Sequence, residues 1–298
     1  SAQNISIATG GTGGVYYPMG GGLASVLSSK VPGMSATAEV TGGSVDNLKL
    51  IGTGKPYVGF SMADAAKDAT SGADKFKDKP IDVRTLLILY PNLMHVATVE
   101  STGVKTMSDL KGKRMSTGSP GSATEVMAFR LLEAAGLDPN KDIKRERLSV
   151  AESVNAVKDR KIDAFFWVGG LPTAAVTDLA NSPGMKIVMV DTSAEVPAMN
   201  KKYGNLYFPS LITKQTYSGM AKDNNVAAVA NLLVVNATMS DDEAYKITKA
   251  IFDNQLELVR SHAEYRNVKL DAQKANATPV PYHPGALKYF KEKGIKVN

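Results

Sequence analysis

The chain has 298 residues, of which 43% are hydrophobic and 21% charged, and its formal net charge is +6. These values are typical of a globular protein, and the length predicts about two domains of roughly 150 residues each. The absence of cysteine excludes disulfides, thiolate nucleophiles and cysteine-based zinc sites. The longest apolar stretch, residues 226–237, contains Asn231 and is shorter than the roughly 20 residues that a membrane span needs.

The basic charge is mixed with acidic charge along the chain. In residues 141–147, lysine and arginine alternate with acidic residues, a pattern typical of a solvated helical face rather than of a stripe that follows nucleic-acid phosphates. We therefore expect no nucleic-acid partner. A mildly basic surface would instead attract small anions, an effect that salt screens.

The start of the chain indicates export. Ser1-Ala2-Gln3 leads directly into an apolar stretch at residues 5–8 without a methionine. This arrangement predicts a periplasmic protein whose signal peptide has been removed, and a cloning remnant is the alternative.

The first third of the chain alternates short strands with amphipathic helices, which is typical of α/β units around mostly parallel sheets. We predict strands at residues 5–9, 36–40 and 58–60, followed respectively by helices at 15–29, 44–51 and 61–69.

The pattern restarts after Pro91-Asn92, where we place the crossing between two lobes. Strands are predicted at residues 85–90, 95–99, 115–117, 164–168 and 187–190, and helices at 123–135, 241–262 and 285–293. The apolar run 226–235 is predicted to return the chain to the first lobe. The sequence thus predicts a two-lobed α/β protein with lobe I at 1–92 and 236–298, lobe II at 93–235 and a ligand cleft between the lobes.

A glycine-rich loop follows the first predicted strand. Residues 10–14 contain four glycines immediately before a helix, so a ligand can approach the backbone amides and the helix start favours an anion. The loop does not fit a dinucleotide fingerprint, because Tyr16 stands where the third glycine belongs. It lacks the lysine of a P-loop as well. A tight turn with no ligand remains the alternative.

Four further loops have the same character, at residues 41–44, 61–64, 117–122 and 169–173. All are predicted at strand ends facing helix starts, where ligands collect in open α/β sheets. Ser122-x-x-Glu125 also fits a capping box. At Ser122 the helix cap and the ligand contact therefore stay open as alternatives.

Several blocks of the sequence together resemble one family. They are residues 7–18, 41–48, 59–64, 110–114, 119–122 and 283–286, and they occur in order over essentially the whole chain. They look like the TAXI family, the extracytoplasmic solute receptors of tripartite ATP-independent periplasmic (TRAP) transporters. The resemblance implies a periplasmic-binding-protein fold and a carboxylate or amino-acid ligand such as glutamate or 2-oxoglutarate. It also implies delivery of that ligand to a TRAP-type membrane permease.

The resemblance also implies the residues that bind the ligand. The wall of the first lobe would be formed by Thr12, Gly13, Gly14, Tyr16, Ser44, Ser61 and Asp64, and that of the second by Ser119, Gly121, Ser122 and Ala123. Tyr90 and Trp167 would lie near the floor and rim of the cleft.

These loops contain no arginine, because Arg84 and Arg114 lie beside strands and Arg130 lies on a helix. Backbone amides and hydroxyls at helix starts would then hold the carboxylate. Asp64 would repel an acid unless it caps its own helix or meets a ligand amine, and the sequence leaves both readings open.

The sequence gives little support to an enzyme. No serine lies in a Gly-x-Ser-x-Gly motif, and His95, His262 and His283 are far apart without metal-ligand spacing. We read the three histidines as structural and expect a monomer with no catalytic residue, metal or cofactor. A ligand sensor or a surface interaction module of the same fold is the alternative function.

Overall fold

The computed structural model describes residues 3–298, which form two compact units. Unit 1 comprises the N-terminal strand up to Gly10 together with Tyr16–Tyr90 and Ala230–Asn298. Unit 2 comprises Gly11–Val15 and Pro91–Val229. The chain therefore passes between the units several times.

The described residues contain ten strands and ten α-helices. The strands are β1 (Gln3–Ala8), β2 (Met34–Glu39), β3 (Tyr57–Met62), β4 (Val83–Val99), β5 (Arg114–Ser116), β6 (Lys144–Glu146), β7 (Ala164–Gly169), β8 (Ile187–Met189), β9 (Tyr207–Ile212) and β10 (Asn224–Asn236). The helices are α1 (Tyr16–Lys30), α2 (Ser44–Ile51), α3 (Ala63–Ser71), α4 (Ala123–Ala134), α5 (Val150–Lys158), α6 (Ala174–Ala180), α7 (Val196–Tyr203), α8 (Asp241–Asp253), α9 (Gln255–Val259) and α10 (Pro284–Glu292).

Each unit is built on a parallel core of three strands. In unit 1, β1 pairs in parallel with β2 and β3, and the second half of β10 runs antiparallel to β3. In unit 2, β5 pairs in parallel with β6 and β7, while β4 runs antiparallel to β7 and β8. The predicted mixed, mostly parallel α/β fold flanked by helices is confirmed.

The cores follow from the apolar runs of the sequence. In β3 every residue after Tyr57 is buried, as expected for a strand that is covered on both faces. The core of unit 2 gathers side chains of β4, β7, α5 and α6, including Ala97, Phe165, Val154 and Val176. These cores hold the strand ends and the helix starts that follow them at fixed positions.

Two of the predicted strands are one strand in the structure. β4 continues from Val83 to Val99 through Pro91 and Asn92, whereas the sequence predicted a break there. The prediction was wrong because Pro91 is exposed, and a proline is tolerated in a strand where its missing N–H is not needed for pairing.

The charged segment 141–147 was also predicted wrongly. It contains the strand β6 rather than a helical face, and it brings Arg145 and Arg147 to the buried carboxylate of Glu125 at 3.1 and 2.7 Å. Arg145 and Arg147 therefore pair with a buried carboxylate while their own side chains stay partly exposed.

The predicted helix 241–262 is interrupted. α8 ends at Asp253 and α9 begins at Gln255, because the Asn254 side-chain amide donates to the Ala250 carbonyl and competes with the helical ladder. Sequence analysis did not identify β9, α5, α6 or α7.

Candidate functional site

Three helix starts in unit 1 are joined by one chain of hydrogen bonds. Met62, the N-cap residue of α3, donates its backbone N–H to the Ser44 hydroxyl at 3.1 Å. Ser44, the first residue of α2, hydrogen-bonds the phenol of Tyr16, the first residue of α1. The Tyr16 hydroxyl in turn lies 2.5 Å from Oδ1 of Asn231 on β10. These hydrogen bonds bring three helix starts close to the Tyr16 side chain, and each helix start contributes partial positive charge.

Asn47 fixes the loops around this cluster. Its Nδ2 donates to the carbonyls of Ala8, Thr9 and Phe60 at 3.1, 2.7 and 2.9 Å, and its Oδ1 accepts from Thr41 at 2.6 Å. The amide therefore ties the ends of β1 and β3 to the start of α2. Asn47 thereby helps to position Ser44, which lies one turn before it in α2.

Asp64 is fully buried in the first turn of α3. Its Oδ1 accepts from the Ala65 backbone N–H at 2.8 Å, so the carboxylate binds an amide at the start of its own helix, where negative charge is favourable. Its proximity helps to raise the pKa of Tyr16, although burial is the larger cause and the Ser44 hydrogen bond opposes it. Of the two readings left open by the sequence, this contact supports the helix-terminal role. Ser61 is also buried, and its hydroxyl donates to the Met62 carbonyl at 2.9 Å.

Tyr90 is 1% exposed in β4, and its hydroxyl has no hydrogen-bond partner among residues 3–298. Burial raises its pKa well above the ordinary value, with smaller contributions from Tyr16, Glu264 and Tyr265. The phenol consequently remains protonated through the physiological range and can donate a hydrogen bond.

The glycine loop belongs to unit 2, although the resemblance placed Thr12, Gly13 and Gly14 in the wall of the first lobe. Gly13 accepts a hydrogen bond at 3.2 Å from the backbone of Ala175 in α6. A Cβ on Gly14 would come within 2.8 Å of the Trp167 ring, so the close approach of this ring requires glycine. Thr12 is exposed.

The loop before α4 in unit 2 contains the predicted residues Ser119, Gly121, Ser122 and Ala123. The Ser122 hydroxyl accepts from the Glu125 backbone N–H at 3.3 Å and donates to the Ser119 carbonyl at 2.7 Å. The helix cap predicted at Ser122 is therefore confirmed, while a ligand contact by these residues stays a prediction.

We expect Ser122→Ala to lower the free energy of unfolding by about 1 kcal/mol, because a helix N-cap is lost. The hydroxyl hydrogen already goes to the Ser119 carbonyl, so we expect the ligand contact of this loop to come from its backbone N–H groups and the affinity to change little. Chemical denaturation and calorimetry measure the two effects. Ser240→Ala, which removes the equivalent cap of α8, is the matched control. A large loss of affinity in the Ser122 variant alone would show that Ser122 also contacts the ligand.

Trp167 is partly buried at the end of β7 and is held by a hydrogen-bond network. Its indole N–H donates to the Thr173 hydroxyl at 2.9 Å, and the Thr173 backbone N–H donates to the Tyr217 hydroxyl at 3.1 Å. The ring packs against the apolar core of unit 2. Trp167 thus joins the core to the loop that follows β7.

The arginines singled out in the sequence bind protein groups. Arg84 pairs with Asp82, Arg114 with Asp163, and Arg130 donates to the Tyr207 hydroxyl. Two of the histidines cap helix starts. His283 Nδ1 accepts from the Gly285 N–H at the start of α10, as the predicted helix entry requires, and His262 Nδ1 accepts from the Glu264 N–H at the start of the short 3₁₀ helix Ala263–Asn267.

The described part of the chain contains neither a metal-binding cluster nor a helix suited to a membrane span. Within residues 3–298, no group of three or more His, Asp or Glu side chains is arranged to hold a metal ion. No helix in the same range combines the length and apolarity of a membrane span.

Sequence reasoning missed Asn47 and Asn231. Asn231 interrupts the apolar run 226–237, and a polar residue inside a buried strand is the signal that could have identified it. Asn47 lies inside the recognised block 41–48 but was not assigned a role.

The fold is that of the periplasmic binding proteins. Solved structures similar to this chain include the periplasmic binding protein BugD, with 12% identity, a TM-score of 0.56 and coverage of 99% of both chains. A periplasmic transporter protein has 11% identity, a TM-score of 0.55 and coverage of 97% of this chain and 92% of that one. The binding-protein component of an ABC phosphonate transporter from Pseudomonas aeruginosa has 13% identity, a TM-score of 0.55 and coverage of 90% and 81%.

Sequence comparison identifies the family. A model of the NMT1-like family matches residues 7–294, so the chain belongs to the NMT1-like family.

Proposed function

We propose that this chain is an exported, monomeric solute-binding protein that captures a small carboxylate and delivers it to a membrane permease. The observation that carries the proposal is the hydrogen-bond chain through Met62, Ser44 and Tyr16, which joins three helix starts in unit 1. Helix starts bind anions through backbone N–H groups and the helix dipole. The closure of two lobes around the solute, expected from the sequence, stays a prediction.

Glutamate and 2-oxoglutarate are the proposed solutes, following the resemblance to TAXI receptors. The other reading of Asp64, in which its carboxylate pairs with the ammonium group of an amino acid such as glutamate, stays a prediction beside its contact with the Ala65 N–H. The proposed permease is of the TRAP type. An ABC-type permease is the alternative, because the Pseudomonas aeruginosa neighbour is named as part of an ABC transporter.

The test is a titration of ligand-free protein with L-glutamate and 2-oxoglutarate. A solute at 100 times its dissociation constant should stabilise the fold by about 2.7 kcal/mol, and thermal unfolding measures the gain. The emission of Trp167, the single tryptophan of the sequence, gives a second readout.

Two controls make the titration specific. Glutamine differs from glutamate by the loss of one carboxylate charge, and putrescine is a small cation. A protein stabilised equally by putrescine, or by neither acid, would contradict a carboxylate receptor. Conversion of either acid into a product would show an enzyme instead.

A further inference from the structure

Asn231 is a fully buried polar residue in the apolar strand β10. It stands opposite Met62 in the antiparallel register between β10 and β3, and Met62 is the residue that caps α3. Asn231 therefore lies beside the cluster of helix starts in unit 1. Burial of a polar side chain in such a strand is unfavourable unless its hydrogen-bonding groups are satisfied.

The direction of the hydrogen-bond chain fixes the orientation of the Asn231 amide. A backbone N–H can only donate, so the Met62 N–H makes the Ser44 oxygen an acceptor and leaves the Ser44 hydrogen for the Tyr16 phenol. The Tyr16 hydrogen then goes to Oδ1 of Asn231. The Asn231 Nδ2 consequently points away from Tyr16.

The Nδ2 group of Asn231 has no hydrogen-bond partner within the described chain, and the same holds for the Tyr90 hydroxyl. Asn231 is hydrogen-bonded to Tyr16 at 2.5 Å, and Tyr90, in the same unit, interacts with Tyr16 electrostatically. Unit 1 therefore holds two buried donors for which residues 3–298 supply no acceptor.

We propose that Asn231 is a solute-binding residue, oriented by Tyr16, whose Nδ2 donates to a carboxylate or carbonyl oxygen of the bound solute, with Tyr90 as the second donor. This inference rests on the proposed function and adds to it the residue that donates a hydrogen bond to the solute oxygen. An unpaired buried donor is unfavourable in the free protein. The solute removes that penalty when it binds, so part of its affinity comes from satisfying these groups.

Two residues of unit 1 provide matched contrasts. Tyr265 is as buried as Tyr90, but its hydroxyl donates to the Met19 carbonyl at 2.7 Å. Asn47 is as buried as Asn231, but its Nδ2 meets three carbonyls. Each contrast pairs a residue whose donor has a protein partner with one whose donor is left for the solute.

The first measurement uses ligand-free protein and does not depend on the identity of the solute. Tyr90→Phe should leave the melting temperature unchanged or raise it, while Tyr265→Phe should lower it by about 2 °C through the loss of a hydrogen bond. Asn47→Asp should lower the melting temperature strongly, because it places a carboxylate oxygen next to three carbonyl oxygens. Asn231→Asp should lower the melting temperature less than half as much. Equal losses within either pair would overturn the inference, and if neither Asn variant folds, the Tyr pair decides it.

The second measurement is the affinity for L-glutamate by calorimetry. Asn231→Asp keeps an acceptor for Tyr16 and removes the Nδ2 donor, so binding should weaken by at least about 30-fold. Tyr16→Phe should weaken binding by about 3- to 10-fold, because the amide is no longer oriented, and Tyr265→Phe should leave it unchanged. An Asn231→Asp protein that binds glutamate as tightly as the wild type would reduce Asn231 to a structural acceptor. If the wild type binds neither acid, the proposed function fails and the ligand-free comparison still decides the role of the two donors.

Discussion

We expect Gly285→Ala to lower the free energy of unfolding by about 3 kcal/mol, at the upper end of the usual cost of overpacking. A Cβ on Gly285 would lie 2.2 Å from the Asp241 carbonyl oxygen and 2.8 Å from the backbone nitrogen of Tyr245. Both are backbone atoms of α8 or its first turn, which cannot rotate away as a side chain can. The substitution must therefore separate α10 from α8. Urea denaturation measures the loss.

Gly21→Ala is the matched control, because both glycines lie in helices of unit 1. No atom of the described chain lies within 4 Å of a Cβ added to Gly21, apart from its neighbours and its own helix backbone. Alanine there should stabilise the protein by about 0.5–1 kcal/mol, since it restricts the unfolded chain. Equal stability of the two variants would contradict the close packing of α8 and α10.

Much of the fold could be predicted from local patterns. The strand, loop and helix units at residues 5–29, 36–51 and 58–69 combine period-2 and period-3.6 apolar spacing with glycine punctuation. The structure has the corresponding elements within a few residues. Elements whose pairing depends on residues distant in sequence were harder to predict. β6 is a three-residue charged strand that pairs with β5, and its residues carry no apolar alternation.

The candidate site likewise contains residues that local motifs predicted and residues that they did not. The motif blocks pointed to Ser44, Tyr16 and Asp64, and the structure brings these residues together at helix starts of unit 1. Asn231 could not be assigned from its neighbours in sequence, because its role depends on the register of β10 against β3. The glycine loop groups with unit 2, where Gly13 accepts from Ala175, and local sequence does not encode a contact between residues so far apart. The hydrogen-bond direction that leaves a donor on Asn231 is likewise a tertiary property.

We expect the protein to lose stability between pH 6.5 and pH 4 because of His95. The ring is fully buried in β4, with Nδ1 2.9 Å from the Leu93 carbonyl and Nε2 2.8 Å from the Tyr217 hydroxyl. The Leu93 carbonyl can only accept, so the ring hydrogen lies on Nδ1 and Nε2 accepts from the Tyr217 hydroxyl. The Tyr217 oxygen also accepts from the Thr173 N–H. Burial lowers the pKa of His95 from 6.5 to about 4, against the opposing hydrogen bonds of the Leu93 and Trp167 backbone.

The sign of the effect follows from proton binding. The unfolded chain binds a proton at His95 near pH 6.5, whereas the folded protein binds it only near pH 4. Stability is therefore complete above pH 6.5 and falls as the pH drops toward 4, with a total loss of about 3 kcal/mol. Denaturation at several pH values should show this loss in the wild type. In His95→Gln this contribution should be absent. The difference between the pH dependences of the two proteins therefore isolates the loss due to His95, because the carboxylates common to both cancel. A variant with the same pH dependence as the wild type would show that His95 titrates normally in the folded protein.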